Sequence, residues 1–468
     1  MAKWASSNSI LYDLIRALKT PIIWILCGFI YPENAIINKR QIIYRWIGEG
    51  LVEAYDPSRD REEIAEDLFK ELIRQGLIEP IKKRGAVYHN PVVKSCRMHP
   101  TIHQHVTAYA EQQRYFDFHS CQVKNNNNKG GHSNQAELKT LFNLNDRYLK
   151  LDKRWFSVKE KLRVLQLGRW KRGAEHHIEL IGDTGLMEEL GQLKNLRCLS
   201  FKGVSSITKL PDCLGELVKL IILDLRACHN LESLTTKIAL LKKLTHLDVS
   251  ECYLLDNIPE ELAQLSELQV LKGFILSHTQ GTKRSCKLSD LGKLKKLRKL
   301  SINITTKVNE WPSHGEELRQ LSSLRSLTIT WARLPSKEKE EKVSDEEKKV
   351  SDDSTMVSCP SPIQNLEKLD LRCLPTENPP QWLKPNTLGG LKKQYIRGGQ
   401  LKRLPFEPGT LWEKVEVLRL KCLKKLEEDI DLFEPRNVFP KLIYLEDFQC
   451  GTVGLPSSSK DGVWVWEG

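Results

Sequence analysis

The sequence predicts an α+β fold: a helical domain closed by paired strands, followed by a solenoid of short strands. Three observations predict it. Apolar residues in the N-terminal region recur at helical spacing to about residue 76, then give way to two short apolar runs around a basic turn. From Leu193 a pattern L-x-x-L-x-x-L-x-apolar recurs, and Leu199, Leu223, Leu247 and Leu271 lie 24 residues apart. Between these regions, Lys124–Gln135 (KNNNNKGGHSNQ) has no large apolar residue and cannot bury enough surface to offset its ordering entropy. The 468 residues therefore divide into a domain at 1–120, a polar linker at 121–136 and a repeat domain at 137–468.

In chain order, Ile10, Leu11, Leu14, Ile15 and Leu18 form one helical stripe, and Pro21 opens a second helix carrying Ile22–Phe29. Ile22–Tyr31 is the longest apolar stretch, half the length a bilayer-spanning helix needs, so it predicts a core helix and no membrane anchor. Tyr31-Pro32-Glu33-Asn34 predicts a turn. Ile42, Ile43, Trp46 and Ile47 make the next helix, ended near Gly48–Gly50. Ile64, Leu68, Leu72 and Ile73 make another, with Gly76 as its cap. Leu77–Ile81 and Val92–Cys96 read as two strands joined by Lys82-Lys83-Arg84-Gly85, and Pro100 suits the first turn of a last helix. Helices followed by a two-stranded wing describe a winged-helix module.

The leucine pattern continues through Leu294-Leu297-Leu300-Ile302, Leu321-Leu324-Leu327-Ile329 and Ile363-Leu366-Leu369-Leu371, with weaker copies at Leu165-Leu167, Leu418-Leu420 and Leu445. A 24-residue period is that of a leucine-rich repeat, an irregular α/β horseshoe in which stacked coils bury what one coil cannot. Leu210-Pro211, Ile258-Pro259 and Leu404-Pro405 would break the amphipathic helices of the competing reading. Cys228 and Cys252 fall at the repeat's N/C position, where a thiol can bond the backbone of the next coil. Residues flanking the inward pair face the concave surface: Ser200, Lys202, Asp224, Arg226, His246, Asp248, Lys272, Asn303, Asp370, Arg372, Arg419 and Lys421. A charged insertion at 336–358 interrupts the array.

Twelve cysteines without any C-x-x-C pair argue against a zinc ribbon or disulfide scaffold and predict free thiols in a reducing, cytoplasmic compartment. His99, His103 and His105 lack the further ligands of a structural metal site, and Asp117, His119 and Cys121 lack an activating motif. The net charge of +12 divides into +3 for 1–124 and +9 for the remainder, so no concentrated basic arm marks a nucleic-acid binder.

Taken in order, Leu11-Tyr12-Asp13-Leu14, Leu18-Lys19, Tyr31-Pro32-Glu33-Asn34, Ile42–Gly50, Ile64-Ala65-Glu66-Asp67 and Glu71–Ile78 resemble the winged-helix part of plant nucleotide-binding leucine-rich-repeat (NLR) disease resistance proteins, coiled-coil subclass. The resemblance covers about 10–110 and, through the repeats, about 160–450. It implies a short form that begins just before the winged helix. Met98-His99-Pro100 stands where that family has Met-His-Asp, so the resemblance makes His99 a nucleotide contact, while Pro100 removes the aspartate of the family's latch. The sequence contains no G-x-x-x-x-G-K-[ST], so the ADP or ATP expected of the intact family has no phosphate-cradling loop here, and no cofactor is expected.

The expected function is defence-related and non-enzymatic. The repeats recognise a protein partner (a pathogen effector, a host guard target or a full-length NLR), and the winged helix serves as a regulatory docking module. The alternatives are a nucleic-acid-binding regulator that meets phosphates through Lys39, Arg40, Arg45 and Lys82–Arg84, and a nucleotide-dependent switch.

Overall fold

A computed structural model describes residues 31–52, 59–81, 93–104, 107, 140–143, 147–150, 161–169, 178–181, 184–276, 285–304, 314–331, 363, 365–406, 409–427, 435–451 and 462–466. The predicted helices at 10–18 and 22–29, the Lys82–Gly85 turn, the polar linker, the 336–358 insertion, His105 and the Asp117, His119, Cys121 group lie outside the described residues. The chain forms two compact units, residues 1–268 and 269–468. The division falls inside the repeat array because the winged helix shares one apolar core with the first repeats.

The first unit opens with the predicted turn, closed by a 3.0 Å bond from Ala35 N to Pro32 O with Asn34 at φ 61°. Strand β1 (Ile37–Asn38) leads into helix α1 (Lys39–Glu49), where the Asn38 side chain accepts from Arg40 N and satisfies one orphan donor of the first turn. Gly50, at φ 83°, ends α1. Its N–H bonds Ile47 O, and the N–H of Leu51 bonds Trp46 O. Helix α2 (Arg61–Arg74) is capped by Asp60, carries Glu62 and Glu63 in its first turn, and places Arg74 in its last, as the helix dipole favours. It buries Ala65, Phe69 and Leu72 on one face, and Gly76 (φ 73°) follows its end.

The wing has three strands where the sequence predicts two. β2 (Ile78–Pro80) and β1 both pair antiparallel with β3 (Ser95–Met98). A two-residue strand is too short to show periodicity, so β1 was invisible in the pattern. The predicted second strand sits about three residues later than expected because Met98 pairs with Ile78 and Cys96 with Pro80. Residues 100–104 are helical, as Pro100 suggests.

The repeats of this unit contribute parallel strands β4 (Thr140–Phe142), β6 (Val164–Gln166), β8 (Cys198–Ser200), β9 (Ile222–Asp224) and β10 (His246–Asp248) in the order β10-β9-β8-β6-β4. Between β4 and β6 lies β5 (Tyr148–Lys150), which pairs with β7 (Glu179–Ile181) in a separate two-stranded sheet. Leu141, Leu165, Leu199, Leu223 and Leu247 stand in register and are buried. Each coil returns through a 3₁₀ turn, at Asp212–Glu216, Thr236–Leu240 and Glu260–Gln264. Pro211 and Pro259 directly precede two of these turns, which is the role of the recurring Leu-Pro and Ile-Pro pairs. Cys228 Sγ donates to Phe201 O and Cys252 Sγ to Leu225 O, each at 3.2 Å. The thiols thus bond the preceding coil rather than the next one, each sharing a carbonyl that also accepts a backbone N–H, from Val204 at Phe201 O and from Cys228 at Leu225 O.

The second unit has strands β11 (Val270–Leu276), β12 (Lys299–Ile304), β13 (Ser326–Trp331), β14 (Lys368–Leu374), β15 (Lys393–Gly399), β16 (Val417–Lys421) and β17 (Tyr444–Phe448), all parallel and in sequence order. β18 (Val463–Val465) pairs antiparallel with β17. Leu300, Leu327, Leu369, Leu418 and Leu445 form the inward row, with Gln394 in the leucine place on β15.

Candidate protein-binding faces of the repeats

In the first unit the sheet face opposite the leucine core carries two rows of side chains. The register aligns Thr140, Val164, Cys198, Ile222 and His246 in one row, and Gln166, Ser200, Asp224 and Asp248 in the next. The winged helix occupies this face. Val164, Cys198, Ile221 and Ile222 share a buried cluster with Ile43, Trp46, Ile47 and Phe69. A Cβ added at Gly48 would stand 2.5 Å from the Cys198 Cβ and 3.0 Å from the Val164 Cγ2, so α1 crosses the strands as closely as a backbone can. Tyr31 packs edge-on to Phe142, with centroids 5.1 Å apart.

Polar contacts fix this packing. The buried pair Arg45–Glu49 (2.7 Å) receives a bond from Thr140 Oγ1 to Glu49 Oε1 at 2.9 Å. Glu62 Oε2 lies 3.6 Å from His246 Nε2, and Tyr44 meets the same imidazole edge-on at 5.0 Å. Arg40 is exposed, and against the desolvation that opposes its charge the nearby carboxylates of Asp248, Glu62 and Asp224 favour the protonated guanidinium. Burial pushes the Tyr44 phenol well above its ordinary range, so it stays neutral.

This placement revises part of the expected surface. Ser200, Lys202, His246 and Asp248 are buried, and Asp224 accepts from Arg226 N and Ser200 Oγ. Arg226 pairs with Glu251. His246, expected to await a partner, therefore lies beneath Tyr44 and Glu62 of the chain's own helices, while Arg226 stays 38% exposed. The sequence did carry a signal for this: the row next to the inward leucines reads Val164, Cys198, Ile222, apolar where a solvent-facing row would be polar. Of the basic residues in the nucleic-acid alternative, Lys39 pairs with Glu66 at 2.7 Å, Arg45 is buried against Glu49, and Arg40 faces carboxylates. Lys82–Arg84 lie outside the described residues.

The second unit presents a different face. Lys272 and Asn303 lie on β11 and β12, whereas Asp370, Arg372, Arg419 and Lys421 come together on β14–β16. The register adds residues the sequence did not single out. Asp370, Tyr395, Arg419 and Glu446 form one row, and Arg372, Arg397, Lys421 and Phe448 the next. Tyr395 is covered by three cations, Lys368 Nζ at 5.1 Å, Arg397 at 5.3 Å and Arg419 at 5.1 Å from its ring centre. Asp370 pairs with Arg372 (2.9 Å) and Arg397 (3.2 Å), and Glu446 with Arg419 (3.2 Å) and Lys421 (2.5 Å). Burial alone would raise the Glu446 carboxyl, but Lys421 and Arg419 hold it below its ordinary value. Tyr395, Arg397 and Glu446 escaped the pattern because Gln394 replaces the leucine that would have marked the β15 coil, and the β17 copy is weak.

His99, the expected nucleotide contact, is half-buried at the end of β3. Its Nδ1 accepts from Thr101 N at 3.3 Å, and its carbonyl from His103 N at 2.9 Å, so it caps the helix that Pro100 begins. His103 Nε2 lies 2.9 Å from Tyr31 O.

Residues 153–452 match the family described as "Leucine-rich repeat region", and residues 30–105 match "Disease resistance protein Winged helix domain". The chain is 27% identical over 465 residues to Disease resistance RPP13-like protein 4 of Arabidopsis thaliana, covering 94% of this chain and 50% of that protein. It is 34% identical over 73 residues to Disease resistance protein RGA5 of Oryza sativa subsp. japonica, covering 16% of this chain and 6% of that protein. The chain thus spans half the length of the first relative and less of the second. Among solved structures, the crystal structure of the TLR13-ssRNA13 complex aligns at 21% identity and a TM-score of 0.38 over 69% of this chain and 40% of that one.

Proposed function

The chain belongs to the leucine-rich-repeat family and carries the winged-helix domain of disease resistance proteins, and from that premise we propose that it acts in plant defence by recognising a protein partner on its repeats. The winged helix is the regulatory module, docked on the first repeats. The partner is a pathogen effector, a host guard target or a full-length NLR, met in the cytoplasm. Among the described residues, no helix is long and apolar enough to cross a membrane.

The contrast between the two repeat faces supports this reading most directly. The first is covered in part by an apolar and polar contact with α1 and α2. The second holds its charged side chains in fixed positions at a solvent-accessible sheet surface, with Arg372 44% exposed. Preorganised, partly exposed arginines beside aromatic rings are the composition of protein-binding hot spots. Affinity purification of the tagged chain from infected plant tissue, quantified against the Arg372→Glu/Lys421→Glu variant, tests the proposal. Recovery of an immune component with the wild type and its loss with the variant is the expected result; recovery of none with either chain would count against it.

A further inference from the structure

We propose that the face on β14–β17 takes an acidic helical segment of a partner protein. This rests on the reading of the repeats as a protein-binding surface and names the chemistry of what binds there. Charge is the first argument. Six cations (Lys368, Arg372, Lys393, Arg397, Arg419 and Lys421) share this face with two carboxylates, Asp370 and Glu446. Asp370 fixes Arg372 and Arg397, and Glu446 fixes Arg419 and Lys421, leaving an excess of positive charge on the face. Arg372, Arg397 and Lys421 remain 44%, 33% and 29% exposed while so fixed. Less side-chain entropy is therefore lost when a carboxylate docks.

Spacing is the second argument. Arg372, Arg397 and Lys421 occupy one register row on three adjacent strands. Parallel strands lie about 4.8 Å apart, so this row offers one cation roughly every 5 Å. Carboxylates at i, i+3 or i+4 of a helix are about 5–6 Å apart, a close match. Same-face residues of an extended peptide are about 6.7 Å apart and fall out of step by roughly 2 Å at each strand. The row ends at Phe448, 49% exposed with Lys421 Nζ 5.9 Å from its ring centre, which gives an apolar side chain of the helix a place to pack.

Single-stranded nucleic acid fits less well. It binds on successive aromatic platforms with free faces, whereas Tyr395 in the middle of this face is 8% exposed and carries three cations, leaving Phe448 as the exposed ring at the row's end.

The test measures binding to the full chain by fluorescence anisotropy at 150 mM salt. The probes are a labelled 20-residue helical peptide with glutamates at i, i+3 and i+4 on one side, a proline-interrupted peptide of the same composition, and a single-stranded RNA of equal charge. The helical peptide should bind at least tenfold more tightly than the other two. Arg372→Glu/Lys421→Glu should lose that binding, and Arg372→Lys/Lys421→Arg should keep most of it, which separates loss of charge from loss of fold. Equal binding of the interrupted peptide, tighter binding of the RNA, or indifference to charge reversal overturns the proposal. If the tissue purification recovers an immune component that survives charge reversal, protein recognition stands and the acidic-helix assignment fails. If the helical peptide binds as expected and the tissue yields nothing, the acidic-helix assignment stands and the defence reading fails.

Discussion

Replacing Gln394 by leucine should stabilise the second unit. Gln394 occupies the inward leucine position of β15, between Leu369 and Leu418 in the register, and is fully buried. Neither polar atom of its side chain has a hydrogen-bond partner among the described residues. A buried amide left without partners costs about 1–3 kcal/mol relative to its hydrated state. Leucine has a similar volume, so the substitution removes that cost without opening a cavity or forcing the neighbours apart. The expected gain is therefore about 1–3 kcal/mol, or roughly 5- to 150-fold in an opening equilibrium. Hydrogen exchange read by mass spectrometry on a peptide covering Lys393–Gly399 measures it locally, without assuming that the chain unfolds in one step. Slower exchange by that factor in β15, with little change in β6–β10, is expected. Unchanged or faster exchange in β15 would refute the reasoning, since the amide would then be satisfied in solution.

Gly48→Ala should loosen α1 from the first repeats even though alanine favours a helix by about 1 kcal/mol, because its Cβ meets the Cys198 Cβ at 2.5 Å. Proteolysis between the winged helix and the repeats should accelerate, and Cys198→Gly should reverse the effect. Iodoacetamide at pH 8 should alkylate the exposed Cys422 while sparing Cys198, Cys228 and Cys252 until denaturant is added, as followed by mass spectrometry. Burial pushes Cys252 to about 12 and raises Cys198 and Cys228 well above the ordinary thiol range, so few thiolates form. Glu446→Gln should reduce the acid sensitivity of β16 and β17. The folded carboxyl is held below its ordinary value, so its contribution is complete above about pH 4.5 and is lost as pH falls through the lowered folded value. Hydrogen exchange of Val417–Lys421 at pH 7 and pH 3 should differ less in the variant than in the wild type.

The periodic parts of the fold were legible. A leucine at every 24th residue marks a coil that cannot bury its apolar face alone, so stacking follows from composition and spacing. Ile42, Ile43, Trp46 and Ile47 likewise announced α1, and Ile64, Leu68, Leu72 and Ile73 with Gly76 announced α2. The β15 coil was missed for the same reason the others were found: the pattern reports leucines, and Gln394 is not one. The wing's third strand was missed because Ile37–Asn38 is too short for any period to show.

The sequence by itself determined the two kinds of architecture and which side chains point away from the leucine core. Those depend on neighbours a few residues apart and on a repeat that enforces itself. The apolar row Val164, Cys198 and Ile222 signalled that part of that face is covered, but the sequence could not decide which of its polar side chains are. His246 and Arg372 both flank the inward apolar pair of their strands, yet one lies under Tyr44 and Glu62 and the other is exposed beside Asp370. Only tertiary structure separates them, because burial there depends on a helix about 200 residues earlier in the chain. The contact is held by the fit of Gly48 against Cys198, by the apolar cluster around Trp46, and by the Thr140–Glu49 bond, all of which form only after folding.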